Sequence, residues 1–280
     1  YCHNCGISKN FDKFLSEHDG MLYKEYRLEK LKDSSELAKP DNLNNPNVKT
    51  SAFPGYRRAD SPLRKLKKVS QLDWDHPVKK YIQKRMIPNR YHAKLFYCPK
   101  FYQWTNSIVP GKFKEELKDE ARLIIPLLDE KSNMFGFQGR SLSSKNTLRY
   151  ITILIDDSRS KLYGLDDVNP SKVVYVVEGP FDSMFVSNAI AMTGSDATVP
   201  FNKYVMVYDN EPRNEAIVSK MEKSINMGRK VVVWPGRLEH KDINDMVMAG
   251  MRTADIKLMI EENTFEGLSA KMALNVWKRI

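Results

Sequence analysis

Cysteine is scarce in this sequence: Cys2, Cys5 and Cys98 are the only three among 280 residues. Three thiols cannot build a disulfide framework, so the chain reads as a protein of a reducing compartment. Long apolar runs are missing as well. The longest, residues 173–177, falls far short of the roughly 20 residues a membrane-spanning helix needs. No charged, apolar, small-residue leader marks a secretory signal, and no membrane partner is expected. Nor does a GxxxxGK[ST] loop occur, so a helicase motor would have to be a separate subunit. Acid is short too: 35 Asp and Glu face 45 Lys and Arg, a formal net charge of +10. That excess favours a polyanionic partner, nucleic acid before membrane. What is present can fold. Hydrophobic residues at 41% and aromatics at 10% are enough to bury a core and exclude wholesale disorder. The length suggests about two domains.

Composition divides the chain further. Residues 1–32 hold two close cysteines and then a helical pattern. Residues 33–70 carry Pro40, Pro46, Pro54 and Pro62 among Asn and Ser, ending in the basic cluster Arg57, Arg58, Arg64, Lys65, Lys67 and Lys68. This reads as a flexible basic linker. In residues 71–171, Asp75 is the expected N-cap of a short helix with Pro77 in its first turn. Strand-like runs follow at 123–128, 134–137 and 150–154, which suggest a small antiparallel or mixed sheet. From residue 172 to 253 the pattern becomes regular. Apolar strands at 173–177, 189–193, 204–208 and 230–234 alternate with helices at 181–189 and 212–227. That alternation predicts an α/β fold with a parallel βαβ sheet buried on both faces. A helical tail is expected over 254–280.

Carboxylates cluster just beyond these strands. Glu178 follows the first, with Asp182 in the next helical turn. Asp209 and Glu211 follow the third, and Asp242 and Asp245 lie past the strand ending at Trp234. Ligands of an open parallel sheet bind beyond the carboxyl ends of its strands, so Glu178, Asp209 and Asp242 should meet at one rim. Carboxylates that close repel, and a hard divalent cation such as Mg²⁺ neutralises them with oxygen ligands. A lone Asp after a strand is equally well an ordinary helix N-cap. Three acidic clusters past strands of one sheet are harder to read so.

These residues carry a family resemblance. Glu178, Gly179, Pro180, Phe181 and Asp182 resemble the EGxxD motif of the Toprim domain of primases, topoisomerases and some nucleases. Asp209, Asn210 and Glu211 resemble its DxD, with Glu as the second acid. Residues Lys241, Asp242, Ile243, Asn244 and Asp245 are similar to its KDPDE-type segment, with Asn244 where primases often have Asp. Further elements point to the bacterial-type primases in particular. Phe137, Gln138, Gly139 and Arg140 resemble their FGGR element, and Arg149, Tyr150 and Ile151 their KYLN segment. Lys161 to Leu165 resemble their KxxLYGL segment. The similarity runs along the whole chain to the primases of T-even phage replisomes.

The resemblance implies synthesis of short RNA primers on single-stranded DNA from ribonucleoside triphosphates. It implies a Toprim domain preceded by a small basic α+β subdomain and part of a zinc ribbon. Glu178, Asp209, Glu211 and Asp182 would be catalytic, with Glu178, Asp209, Glu211 and Asp242 holding Mg²⁺ or Mn²⁺. Arg140, Arg149, Lys161 and Lys241 would grip template and nucleotide phosphates. Cys2 and Cys5 form one CxxC knuckle where tetrahedral zinc needs four ligands. They read as half of a Zn²⁺ site in a chain expected to be N-terminally truncated; His3 or His18 as substitutes and a redox CxxC are the other readings. A hexameric replicative helicase is the implied partner, and the cytoplasm of a phage-infected cell the implied location. A Toprim nuclease would not need the basic elements before residue 172. A topoisomerase would need a further large domain. A non-catalytic DNA-binding or helicase-docking module would not need the carboxylates.

Overall fold

The computed structural model describes residues 61–143, 148–194 and 196–280, all within the larger of the chain's two compact units, Phe53–Ile280. Cys2, Cys5 and most of the expected linker lie outside the described residues. The first sheet is antiparallel, in the order β1 (Lys67–Lys68), β2 (Phe96–Cys98), β3 (Arg122–Leu128), β4 (Met134–Ser141), β5 (Tyr150–Leu154). Three short helices decorate it: α1 (Pro77–Lys84), α2 (Asn89–His92) and α3 (Phe101–Asn106). Every residue of β3 is buried, because both faces of this sheet are covered. Leu123, Ile125 and Leu127 join the main core. Ile124, between them, points the other way into a second cluster with Phe101, Trp104 and Phe137. This period-2 split is what a strand buried on both sides requires.

The second sheet runs β11-β10-β9-β7-β8-β6. Its centre is parallel: β7 (Val174–Val177) lies between β8 (Ala189–Met192) and β9 (Tyr204–Val207), and β10 (Lys230–Val232) flanks β9. Two-residue strands close the edges antiparallel, β6 (Leu162–Tyr163) against β8 and β11 (Thr264–Phe265) against β10. The helices are α4 (Pro180–Ser183), α5 (Glu215–Asn226), α6 (Ile243–Met248), α7 (Thr253–Glu262) and α8 (Gly267–Trp277). The α/β fold and its parallel strands are as expected. Among the described residues no helix is long and apolar enough to cross a membrane.

Four local expectations are corrected. Residues 61–70 are not linker: Lys67 and Lys68 pair with Tyr97 and Phe96, and Leu63 and Val69 are buried. The N-cap of α1 is His76, whose Nδ1 accepts the Val78 N–H at 3.2 Å, not Asp75. The helix expected over 181–189 stops at Ser183, because the N–H groups of Met184, Phe185 and Val186 each donate to the carbonyl three residues back. That tightening ends at Asn188, whose φ of 58° turns the chain into β8; Asn tolerates this left-handed conformation better than most side chains. The tail expected to be helical from residue 254 contains β11, which extends the second sheet.

Cys98 is buried, and burial pushes its thiol up to about 12. A thiol so protonated is a poor nucleophile. We expect iodoacetamide at pH 8 to leave Cys98 unmodified in the folded protein and to alkylate it after denaturation, read by peptide mass spectrometry. Labelling at the rate of a free thiol without denaturant would contradict this packing.

Candidate active site

The carboxyl ends of β7 and β9 lie side by side, Val177 opposite Val207. Glu178 and Asp209 therefore emerge together. The Asp209 N–H donates to Glu178 Oε2 at 3.1 Å, which fixes the two loops to each other. Asp182 follows in α4, its Oδ1 accepting the Asn244 N–H at 2.9 Å. Gly179 permits this approach, since a Cβ there would stand 2.7 Å from Asp182 Oδ2. Asp242 caps α6, accepting the Asp245 N–H at 2.7 Å. The capping role and membership of the rim are thus both filled by one residue. Asn210, buried, ties the loop after β9 to the one carrying Lys241. It donates from its backbone to Lys241 O and from its side chain to Leu238 O and His240 O, while its Oδ1 accepts from Trp277 Nε1.

Electrostatics follow from this crowding. Asp209 is pushed up to about 8 by burial first, then by the charges of Glu178, Asp182 and Asp242. Burial and Asp242 push Asp182 up to about 7, and burial also raises Asp242. Two lysines offset part of the charge. Lys220, from α5, donates to Glu178 Oε1 at 2.6 Å. Lys241 lies 3.0 Å from Glu211 and 4.0 Å from Asp209, and its hydrogen bond to Glu211 holds its proton more firmly.

The donor set suits a hard divalent cation: all ligand atoms would be carboxylate oxygens, and burial with mutual repulsion raises Asp209 and Asp182, a burden that a bound cation would relieve. Among the described residues no three Asp, Glu, His or Cys side chains are gathered as a metal cage. The arrangement therefore offers one or two direct carboxylate ligands at any one point, the number Mg²⁺ usually takes from protein.

The expected cations are placed less uniformly. Arg140 lies among three rings, 5.2 Å from that of Tyr81, 4.4 Å from Tyr150 and 5.3 Å from Phe181. No hydrogen bond of good geometry reaches its buried Nε or the Tyr81 hydroxyl among the described residues; burial weakens its hold on its proton, and the Tyr81 side chain beside it partly restores that hold. Phe181 belongs to α4, so Arg140 reaches the acidic rim's own helix from the first sheet. The neighbouring Gly139 is obligatory, because a Cβ would overlap the Phe101 ring at 2.3 Å. Arg149 is exposed. Lys161 is occupied: its ammonium lies 2.9 Å from Asp196, an exposed pair on the surface. Arg85 and Lys220 stand at the rim without having been anticipated. Each sits on or beside a helix, where a lone cation has the same sequence signature as a solvated one.

No protein-family model matches the chain. Over 291 aligned residues it is 34% identical to the DNA primase of Enterobacteria phage T4, an alignment covering 100% of this chain and 82% of that protein. Among solved structures, the zinc-binding and RNA polymerase domains of the Aquifex aeolicus primase match with a TM-score of 0.54 at 18% identity. That match spans 94% of this chain and 73% of the other. A DnaG primase catalytic domain bound to single-stranded DNA matches with a TM-score of 0.53 at 18% identity, over 71% of this chain and 75% of that one.

Proposed function

The chain belongs to the DNA primase family, a nucleotidyltransferase that builds RNA primers on DNA, and from that premise we propose which residues do the work. The observation that carries the assignment is the convergence of Glu178, Asp209, Asp182 and Asp242 beyond the parallel strands, with Asp209 pushed up to about 8. We read this half as a Toprim domain and the antiparallel half as its basic companion. Of Glu178, Asp209, Glu211 and Asp242, one or two would bind Mg²⁺, or Mn²⁺, directly and the others through its water ligands. Such an ion supplies Lewis-acid stabilisation of transferring phosphate and an acidified 3′-hydroxyl. Asp182 shapes the rim through its bond to the Asn244 backbone.

Lys220 and Lys241 balance the carboxylates and are placed to release them when a cation or a triphosphate arrives. Arg140 would contribute positive charge towards a phosphate or the face of a base. Arg149 adds exposed positive charge beside it. Lys161 must leave Asp196 before it can bind phosphate. The partners follow: a single-stranded DNA template, ribonucleoside triphosphates and a hexameric replicative helicase at the fork. Zn²⁺ would bind at Cys2 and Cys5 together with two further ligands.

The direct test incubates the chain with single-stranded DNA, Mg²⁺ and labelled ribonucleotides. Short RNA should appear; DNA cleavage in its place would favour a nuclease. Arg140→Ala should weaken template binding and lower the dependence of log affinity on log salt by about 0.7, one lost phosphate contact on a single strand. Asp196→Ala should do the opposite for Lys161, freeing its ammonium and steepening that slope. If neither variant moves the slope, both cations are structural.

A further inference from the structure

We infer that Arg85 and Asn244 form a reciprocal clamp that positions the acidic rim, so that both are positioning residues for nucleotidyl transfer; the inference rests on the functional reading above. Arg85 ends α1, in the antiparallel half. Asn244 lies in the first turn of α6, 159 residues away. Arg85 Nη1 donates to Asn244 Oδ1 at 2.9 Å, and Asn244 Nδ2 donates back to the Arg85 carbonyl at 2.7 Å.

The chemistry of the pair explains the residue types. A carboxamide presents one acceptor and two donors on one rigid plane, so it can answer both a guanidinium and a carbonyl. An aspartate at 244 could accept from the guanidinium but could not donate to the Arg85 carbonyl. Asn244 is 2% exposed, so both of its bonds are made away from water and an unmade one would be costly. Its backbone N–H simultaneously donates to Asp182 Oδ1. The next residue back, Asp242's neighbour Ile243, is buried in the core, which leaves the first turn of α6 little freedom once Asn244 is held.

The clamp thus fixes three things together: the α6 turn, the Asp242 cap at its head and the Asp182 oxygen hydrogen-bonded to it. Arg85 also stands 3.8 Å from Asp245 and over the Tyr81 ring. That ring also lies beside Arg140. One side chain therefore joins the cationic group to the carboxylates. No other side-chain pair described at the rim hydrogen-bonds in both directions between the two halves.

The test compares the full chain with Arg85→Ala, Asn244→Ala, the double variant and Arg85→Lys. Mn²⁺ binding is followed by electron paramagnetic resonance, and kcat and template KM are measured alongside. Groups that orient metal ligands typically contribute about 10–100-fold to metal affinity. Each single alanine variant should weaken Mn²⁺ binding about tenfold and lower kcat with template KM unchanged. The double variant should be no weaker than the worse single, since the two residues act as one unit. Arg85→Lys, which restores a cation beside Asn244 Oδ1 while the main-chain acceptor is common to every variant, should recover part of the loss. Folded single variants with wild-type Mn²⁺ affinity, or losses that simply multiply in the double, would overturn the clamp. If Asn244→Ala does not fold, Arg85→Ala decides alone, since its side chain is 28% exposed and tolerates truncation. Absence of Mn²⁺ binding by the wild-type chain would overturn the metal assignment itself, and this role with it.

Discussion

Asp209→Asn should abolish primer synthesis and, without divalent metal, make the protein more stable. The carboxylate is one of the proposed metal ligands, and losing such a charge at a transferring phosphate should lower the rate by about three orders of magnitude. The fold has no need of it. The contact that joins the loops runs from the Asp209 backbone to Glu178, and an amide side chain leaves it untouched. The negative charge, in contrast, is a burden in the metal-free state, since burial and the charges of Glu178, Asp182 and Asp242 push Asp209 up to about 8. Asn carries no charge to repel its neighbours, which should raise stability by about 1–3 kcal/mol, at roughly 2–4 °C for each kcal/mol. The pH dependence has a definite sign. The folded state keeps a proton on Asp209 that the unfolded chain releases near an ordinary carboxylate value. Stability of the metal-free wild type should therefore fall as pH rises from about 4 towards about 8. Mg²⁺ should cancel most of that fall, and Asp209→Asn should lack it. Thermal unfolding at pH 5, 6.5 and 8, with and without Mg²⁺, reads all of this. A variant less stable than wild type at pH 8 without metal would show that Asp209 supports the fold instead of straining it.

The rim was legible in the sequence because its signals are short-range. Glu178 directly follows an apolar, β-branched strand and Asp209 follows another after one residue, so a local pattern plus the rule for open α/β sheets brings them together. The same reasoning could not find Arg85, Lys220 or Asn210. Arg85 and Lys220 lie at the end of one helix and on the face of another, where a cation is normally solvated, and only packing shows that each meets the rim. Asn210 looks like a loop residue, yet three of its hydrogen bonds hold the two acidic loops together and a fourth ties them to Trp277 of α8. Residues 61–70 hide their packing for a related reason. Their Pro and Lys content is that of a linker, and Leu63 and Val69 are too few to show a period, but each fills a core pocket. Strand β11 has only two residues, too short for alternation to reveal. Lys161 and Arg149 were identified by motif; the structure adds that one is paired with Asp196 and the other exposed, a difference no spacing could express.

Arg122→Met should cost about 3–5 kcal/mol of stability, the largest single loss we expect among the cations. The sequence offers Arg122 as one more basic residue ahead of a strand, but its side chain is fully buried in β3. The guanidinium is fully employed. Nε donates to Glu120 Oε1 at 2.7 Å, Nη1 to the Gly139 carbonyl at 2.8 Å and Nη2 to the Leu148 carbonyl at 2.9 Å, with the Phe101 ring 5.2 Å away. Methionine fills similar space but strands the acceptors. Arg122→Met takes from the Gly139 and Leu148 carbonyls and from Glu120 the donor that the buried guanidinium supplies, and buried bonds left unmade cost more than made ones contribute. A midpoint lowered by roughly 6–20 °C would follow. Arg122→Lys should recover only part of this, since one ammonium cannot span three acceptors in the fixed fork geometry of arginine. Function should suffer beyond stability. Gly139 and Leu148 immediately precede Arg140 and Arg149, so Arg122 holds in register the two segments that present the template cations. In a folded Arg122→Lys protein, template affinity should fall more than Mn²⁺ affinity, because the acidic rim is not among the contacts of Arg122. Adding Glu120→Leu to Arg122→Met should restore part of the stability lost in Arg122→Met by removing a carboxylate that has lost the Arg122 guanidinium but still accepts from the Tyr102 hydroxyl. A double variant less stable than Arg122→Met would mean that Glu120 supports the fold through other contacts and that the ion pair is not the source of the loss.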